Sequence, residues 1–434
     1  MTELTLRRPR LAELRAYGLL VITLSTFYVG FVALIFTSSG FTATFDLYRL
    51  SDAIFLLSLS YLVLPKSGTK PSTSTVQMIM VFLITPTILY YAFNGGARAY
   101  IYTAVLGFIL TCIVIRIPPD RKIKQLSISR WQFGLFIFAV SGIVYVALLF
   151  GNGLPTLTAI DIRDVYEVRG SVTVIHPVLN YLVPWQANVI NPFLIGKSII
   201  EKRYKLLVIA CGLQLYLYLL FAHKMFLFMP LLLIVSLLLI ANRNFLSGIC
   251  RGISLGSVFA WLVYFSTGLL IVPSILIRRL FFVQPRNQFY YFEYFSRNPF
   301  AYYSNSKVGI LFQDVYSTPL PLIIGEEYTG AFANVGYIAG SYAQLGLTGI
   351  IVGSVALGAL LWLTDVLTWK YDPLSVSIIV TSFFNIINSS LTTSILTHGI
   401  AFSLFLVYLH QSAEADHSYN HLVLTSSRNR KASA

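Results

Sequence analysis

The chain has 434 residues, 56% hydrophobic and 11% charged, with a mean hydropathy of +0.73. A soluble domain carries about 25% charged residues, so this balance excludes one and describes a polytopic membrane protein. The formal charge of +14 would suggest nucleic acid in a soluble protein. Here membrane topology accounts for most of it, and no nucleic-acid partner is expected.

Twelve apolar stretches approach the length a bilayer requires: 16–37, 45–64, 76–94, 99–115, 131–150, 174–196, 206–222, 225–241, 252–273, 344–365, 374–390 and 392–410. They predict an all-α fold of twelve transmembrane helices. A tail (1–15) leads to helices one to nine (16–273). A large loop (274–331), helices ten to twelve (332–410) and a second tail (411–434) follow. Arg7, Arg8, Arg10 and Arg15 precede the first stretch, which lacks an A-x-A-like cleavage site. It is therefore expected as a membrane helix, not a signal peptide. The weakest division is at His223-Lys224. Asn334–Leu345 is helix-compatible, with Gly346 as a break before the tenth span.

Of 31 basic residues, 21 fall in loops on the side of the N-terminus and 9 on the other. The positive-inside rule then predicts both termini in the cytoplasm and the large loop outside, away from ATP and nucleotide sugars. Cys112, Cys211 and Cys250 have no CxxC spacing. They read as small buried hydrophobes, with no disulfide framework or zinc site expected.

The loop carries the candidate chemistry. Arg278 and Arg279 follow the ninth helix, where a lipid headgroup would sit, and two guanidiniums can clamp a pyrophosphate. The competing reading is snorkelling. Arg286 lies farther on, among Tyr290, Tyr291 and Tyr294, whose rings could stack on sugars or anchor an amphipathic helix on the membrane. Asp314, Glu326 and Glu327 are the acids. A buried carboxylate with a raised pKa could take a proton from a sugar hydroxyl, whereas an acid at a helix N-terminus needs no chemical role.

Outside the loop, Asp46, Arg49 and Asp52 share a helix face at i,i+3 spacing. They predict either a cavity-facing group or a self-satisfied ladder. Lys224 stands between two apolar runs without an evident partner. Asp161, Arg163, Asp164, Glu167 and Arg169 form a mixed-charge outer segment, better read as a solvated turn than as a metal site. His176 reads as an interfacial histidine. No phosphate loop, HExxH, GxSxG or dinucleotide glycine pattern occurs. The energy source is then an activated substrate, an ion gradient or none.

Three segments carry a resemblance: HKMFLFMP (223–230), IRRLFF with RNQFYYFEYF (277–295), and GEEYTGAFANVGYIAGSYAQLGLTGII (325–351). With the dozen spans and one late outer loop, the chain resembles the bacterial O-antigen polymerases, oligosaccharide repeat-unit polymerases of the Wzy type. The resemblance implies a glycosyltransferase C-type membrane fold at the periplasmic face of the inner membrane. Both substrates would be polyisoprenyl-pyrophosphate-linked glycans, with no metal or cofactor and with a chain-length regulator as a further partner. Arg278, Arg279 and Lys224 would hold the leaving pyrophosphate. Arg49, Arg169 and Arg286 are weaker additions from the residues themselves. The competing functions are a flippase for the same lipid-linked glycan and a ligase that moves it to another acceptor.

Overall fold

A computed structural model describes residues 2–66, 69–118, 124–155, 176–304 and 315–432, with side chains described between 11 and 416. The described residues are helical, without a strand. Eight helices are long and apolar enough to cross a membrane: Leu11–Ile35 (α1), Pro71–Asn94 (α3), Arg130–Asn152 (α5), Tyr204–Phe221 (α7), Lys224–Ala241 (α8), Phe245–Thr267 (α9), Tyr337–Leu367 (α12) and the stretch Leu391–Asp416. Two more, Arg98–Val114 (α4) and Pro373–Ile387, are apolar but shorter. The chain is a multi-pass membrane protein.

The remaining expected spans take other forms. The stretch expected at 45–64 is Leu47–Val63 (α2), a 17-residue helix with Arg49 and Asp52 in its first turns. The one expected at 174–196 is helical over 179–200 (α6). The division at His223-Lys224 is real: α7 ends at Phe221, Ala222 takes φ +50°, and α8 begins at Lys224.

The stretch 274–331, expected as one large loop, is helical over 271–295 (α10) and Leu320–Tyr328 (α11). α10 is not a surface helix. Gln284, Pro285, Arg286, Asn287, Gln288, Phe289, Tyr291, Tyr294 and Phe295 are all buried. The expected C-terminal tail begins inside a helix, Ile400–Ala432. Gln411 anchors it by exchanging hydrogen bonds with the backbone of Lys370 at 3.1 and 2.7 Å. All three cysteines are free, Cys112 and Cys250 buried as expected but Cys211 exposed on its apolar helix.

The chain divides into two compact units, residues 1–118, 242–362 and 384–393, and residues 119–241, 363–383 and 394–434. In the first unit α3 is buried along its length. Two of its hydroxyls are satisfied within the helix: Thr75 donates to the Pro71 carbonyl at 2.9 Å and Thr87 to that of Leu83 at 2.6 Å. In the second unit α5, α6, α7 and α8 supply Val144, Tyr145, Leu148, Val183, Leu217 and Phe226 to one apolar core. Within it, Asn191 donates to Tyr145 and Gln214 at 2.7 and 2.8 Å, and Gln186 donates to Asn191 at 2.7 Å. This buried polar cluster contains no charge.

Two sequence features explain four of the irregular points. Wide π turns at Met80–Ile84 and Gln186–Ile190 precede Pro86 and Pro192, and Ser274–Phe282 precedes Pro285. Proline lacks an N–H and crowds the carbonyl one turn back, so a wider turn relieves the clash and the backbone accounting. α12 breaks where the sequence predicts it, at Leu345 and Gly346 (φ +64°). The carbonyls freed there accept from Ala301 at 2.9 Å and Tyr302 at 3.2 Å, as apolar surroundings demand.

Candidate functional site

The site is built on α10. Ser274, Arg278, Phe282, Arg286 and Tyr290 recur every fourth residue, so they line one face of the helix. The opposite side of α10 is pinned to the first unit. Gln288 donates to Thr87 at 2.8 Å and to Gln284 at 2.7 Å, and accepts from Tyr100 at 3.0 Å. Phe82 stacks on Phe281 with centroids 5.6 Å apart. These contacts fix the rotation of the helix and therefore the direction of the stripe.

Arg286 is only 8% exposed. Its Nη1 donates to the Ser39 carbonyl at 2.5 Å, and its Nε and Nη2 donate to the Asn287 side-chain oxygen at 3.4 and 3.1 Å. Asn287 in turn donates to the Asn334 carbonyl at 3.1 Å. The guanidinium also lies over Phe41 and Tyr290, 5.1 and 5.5 Å from the ring centres. Of five N–H bonds, these contacts use three and leave one on each Nη. Two such N–H groups can meet two oxygens of one phosphate.

Arg278 is half-buried. Its Nε donates to Ser274 at 3.1 Å, and its guanidinium carbon sits 4.1 Å from the centre of the Phe36 ring. Its four Nη N–H bonds have no protein partner among the described residues. Neither arginine pairs with a carboxylate among those residues. Burial, with Arg279 and Arg286 as like-charged neighbours, pushes Arg278 below its ordinary pKa. Burial likewise lowers Arg286, against a smaller opposing effect of Tyr290 and Tyr90. Arginine stays charged through such shifts, so the first unit holds two partly desolvated cations that no carboxylate among the described residues neutralises. Arg279 points outward, exposed.

The wall facing this stripe comes from the connection between α1 and α2. Thr37–Ser39 forms a 3₁₀ turn closed by Gly40 at φ +78°. A side chain at Gly40 would run into the Tyr290 hydroxyl. Asn94 ties the same connection to α3: its side-chain oxygen accepts from the Thr42 N–H at 2.7 Å, the Thr42 hydroxyl at 2.9 Å and Tyr28 at 3.1 Å. Tyr28 packs against Phe282 with centroids 4.8 Å apart. Sequence reading missed this wall, because nothing in the polar turn names a partner 247 residues away.

Farther along α10, Tyr290 stacks on Tyr328 of α11, 4.7 Å between centroids. Arg297 donates to Glu293 at 2.6 Å and to the Tyr328 hydroxyl at 2.8 Å. Burial, then Glu293 and Glu327, push the Tyr328 phenol up to about 12. The stripe therefore grades from cations through an aromatic pair to carboxylates. Arg286 and Glu293 are seven residues apart, about 10 Å of helix rise.

Several predicted residues fall elsewhere. Tyr291 and Tyr294 are 2% and 9% exposed and pack on Phe295, so neither offers a face to a sugar. Glu326 and Glu327 are exposed near the end of α11, without an ion pair among the described residues. The expected burial is absent. Arg49 pairs with Asp46 at 3.4 Å and donates to Thr44 at 3.0 Å. Asp46 caps α2 by accepting from the Tyr48 and Arg49 N–H groups at 2.8 and 3.2 Å. Asp52 does not join Arg49. It accepts from Arg98, Tyr102 and Tyr91 at 2.7, 2.7 and 3.0 Å. Only the Asp46–Arg49 half of the expected ladder forms, and Asp52 is satisfied instead by Arg98, a partner that helix spacing could not name. Lys224 opens α8 in the second unit, half-buried and without a hydrogen-bond or ion-pair partner among the described residues. Asp314 and Arg169 lie outside the described residues.

No family model, curated protein or solved structure matches this chain.

Proposed function

We propose that this protein is a membrane glycosyltransferase of the O-antigen polymerase kind. It would join polyprenyl-pyrophosphate-linked oligosaccharide repeat units at the periplasmic face of the bacterial inner membrane. The observation that carries this reading is the pair Arg278 and Arg286. They share one face of a buried helix and, among the described residues, keep N–H bonds free and pair with no carboxylate. Two desolvated guanidiniums call for a ligand of matching negative charge, and a diphosphate supplies it. The distribution of basic residues supports an outward orientation of α10.

In the reaction, the acceptor hydroxyl attacks the anomeric carbon of the donor. The carbon–oxygen bond to pyrophosphate breaks, and the electron pair leaves with the phosphate. Arg278 and Arg286 stabilise that developing charge, the part a metal ion plays in other transferases. Arg279 adds charge at the rim, and the Tyr290–Tyr328 pair supplies an aromatic edge for the sugars. The hydroxyl proton goes to a carboxylate at the far end of the stripe, where Glu293 and Glu327 flank Tyr328. The donor carries its own activation, so no nucleotide is needed.

The test is the glycan profile of cells lacking the protein, complemented with wild type, Arg278→Ala or Arg286→Ala. Loss of the long-chain ladder, with single repeats still reaching their final carrier, is the expected result. Full-length glycan trapped on the lipid would mean a ligase. Single units trapped on the cytoplasmic leaflet would mean a flippase. The flippase reading draws on the break in α12, because transporters often place sites at broken helices. Against it, the freed carbonyls are already used by Ala301 and Tyr302, and Phe300 covers Gly346.

A further inference from the structure

We infer that the turn Phe36–Gly40 is the positioning element of the anion site, and that Phe36 sets the orientation of Arg278. This rests on the pyrophosphate reading above. The two guanidiniums are held differently from below and from the side. Their own helix gives each a polar anchor: Ser274 for Arg278 and Asn287 for Arg286. Arg286 also lies over Tyr290 of its own helix and Phe41, and one short turn reaches both guanidiniums. Phe36 at its start lies 4.1 Å from the Arg278 guanidinium carbon. Ser39 at its end accepts from Arg286 at 2.5 Å.

A ring face attracts a guanidinium without using any N–H bond. Phe36 can therefore restrain Arg278 and leave all four Nη donors for a ligand, which a carboxylate partner could not do. The Ser39 carbonyl is neutral and takes one donor, so it orients Arg286 without neutralising it. The turn reaches this position because Gly40 has no side chain. Its positive φ suits glycine, and an added methyl would meet the Tyr290 hydroxyl. Phe36 is itself held edge-on by Phe31 at 5.9 Å, and Asn94 fixes Thr42 in the segment that follows. The turn is thus anchored on both sides.

The experiment measures binding of inorganic pyrophosphate to the full chain in detergent by calorimetry, at two salt concentrations. Wild type, Phe36→Leu, Phe36→Trp, Gly40→Ala, Arg278→Ala and the double variant Phe36→Leu/Arg278→Ala are compared, with melting temperatures recorded. Phe36→Leu is expected to weaken binding by about three- to tenfold. Phe36→Trp should restore it, and Phe36→Leu should add nothing once Arg278 is gone. Gly40→Ala tests the other end of the turn and should also weaken binding. Equal affinity of Phe36→Leu and wild type would overturn the positioning role. So would an equal loss from Phe36→Leu with and without Arg278, since that pattern marks a merely structural effect. Absence of pyrophosphate binding by wild type would instead remove the anion reading, and the positioning role with it.

Discussion

Two clusters of basic residues show opposite solutions to one problem. In the second unit, Glu414 pairs with Arg130 and, at 3.3 Å, with Lys197; Lys197 also meets Glu201 at 3.2 Å, and Arg203 meets Glu201 at 2.9 Å. Those cations are partly exposed, yet carboxylates answer them. On α10 in the first unit, Arg286 is more deeply buried and no carboxylate among the described residues answers it. Removing a charge from water costs several kcal/mol unless a partner compensates. A fold selected for stability alone would not leave the more buried cation unpaired. The difference separates charge used to fasten helices from charge held for a ligand.

The sharpest way to break this comparison is Arg286→Ala. If Arg286 stabilises a leaving pyrophosphate, polymer formation should fall about 100-fold or more, as when one preorganised donor is lost elsewhere. Membrane insertion and abundance should be preserved. Arg286→Lys keeps the charge but loses the fork, so it should fall between the two. Normal glycan lengths from Arg286→Ala would mean that the burial of this cation has no catalytic purpose.

Much of this site was legible as residues and little of it as geometry. Arg278, Arg286 and Tyr290 stand eight and four residues apart, multiples of four, and the helix turns that spacing into a face. The partners on the other wall, Phe36, Ser39 and Gly40, carry no spacing that links them to α10. Only the packing of Tyr28, Asn94 and Phe282 brings the turn there. Helix limits were legible where a backbone cause sits in the sequence, as at Gly346. The Arg49–Asp52 pairing failed for a physical reason. Asp46 is taken by the helix N-terminus and still reaches Arg49, while α4 delivers Arg98 to Asp52. Tyr291 and Tyr294 were misread because aromatic content says nothing of which face is covered.

The uncharged cluster of the second unit sharpens the contrast from another side. Gln214 accepts from Asn191 and donates to the Ala187 carbonyl at 3.0 Å, and also to the Phe226 carbonyl. Gln214→Leu leaves those groups buried without partners, so stability should fall by about 1–3 kcal/mol. A lower melting temperature in detergent would show it. Pyrophosphate affinity at the surviving temperature should match wild type, because the cluster fastens helices and contacts no ligand.

Asp372 provides a pH signature for the second unit. It caps the helix Pro373–Phe383 by accepting from the Leu374 and Ser375 N–H groups at 3.2 and 2.9 Å, and it lies 3.5 Å from His410. Burial alone would raise its pKa, but the bonds from His410 and Ser375 outweigh it and bring it down to about 2. A depressed carboxyl pKa means the unfolded chain binds the proton more readily. The stabilisation is therefore complete above the ordinary value of 3.8 and is lost as pH falls toward 2. After allowance for partial exposure, about 1 kcal/mol is at stake. Asp372→Asn should flatten the fall in melting temperature over that window. An unchanged slope would remove Asp372 as its source.

The smallest expected effect is the most direct control. Glu414→Gln removes the carboxylate shared by Arg130 and Lys197, the mirror of asking what Arg286 does without one. Arg130 is half exposed and can turn to water, and Lys197 keeps Glu201. The cost should stay below about 1 kcal/mol and shrink at high salt. Melting temperatures at low and high ionic strength measure it. Pyrophosphate binding should not change at either. If Glu414→Gln instead created tight pyrophosphate binding in a chain lacking Arg278 and Arg286, any unpaired basic cluster in this protein would capture the anion. The α10 site would then owe its role to charge alone, and the orientation imposed by Ser39, Asn287 and Phe36 would lose its purpose. If no such binding arises, orientation, not unpaired charge, distinguishes α10.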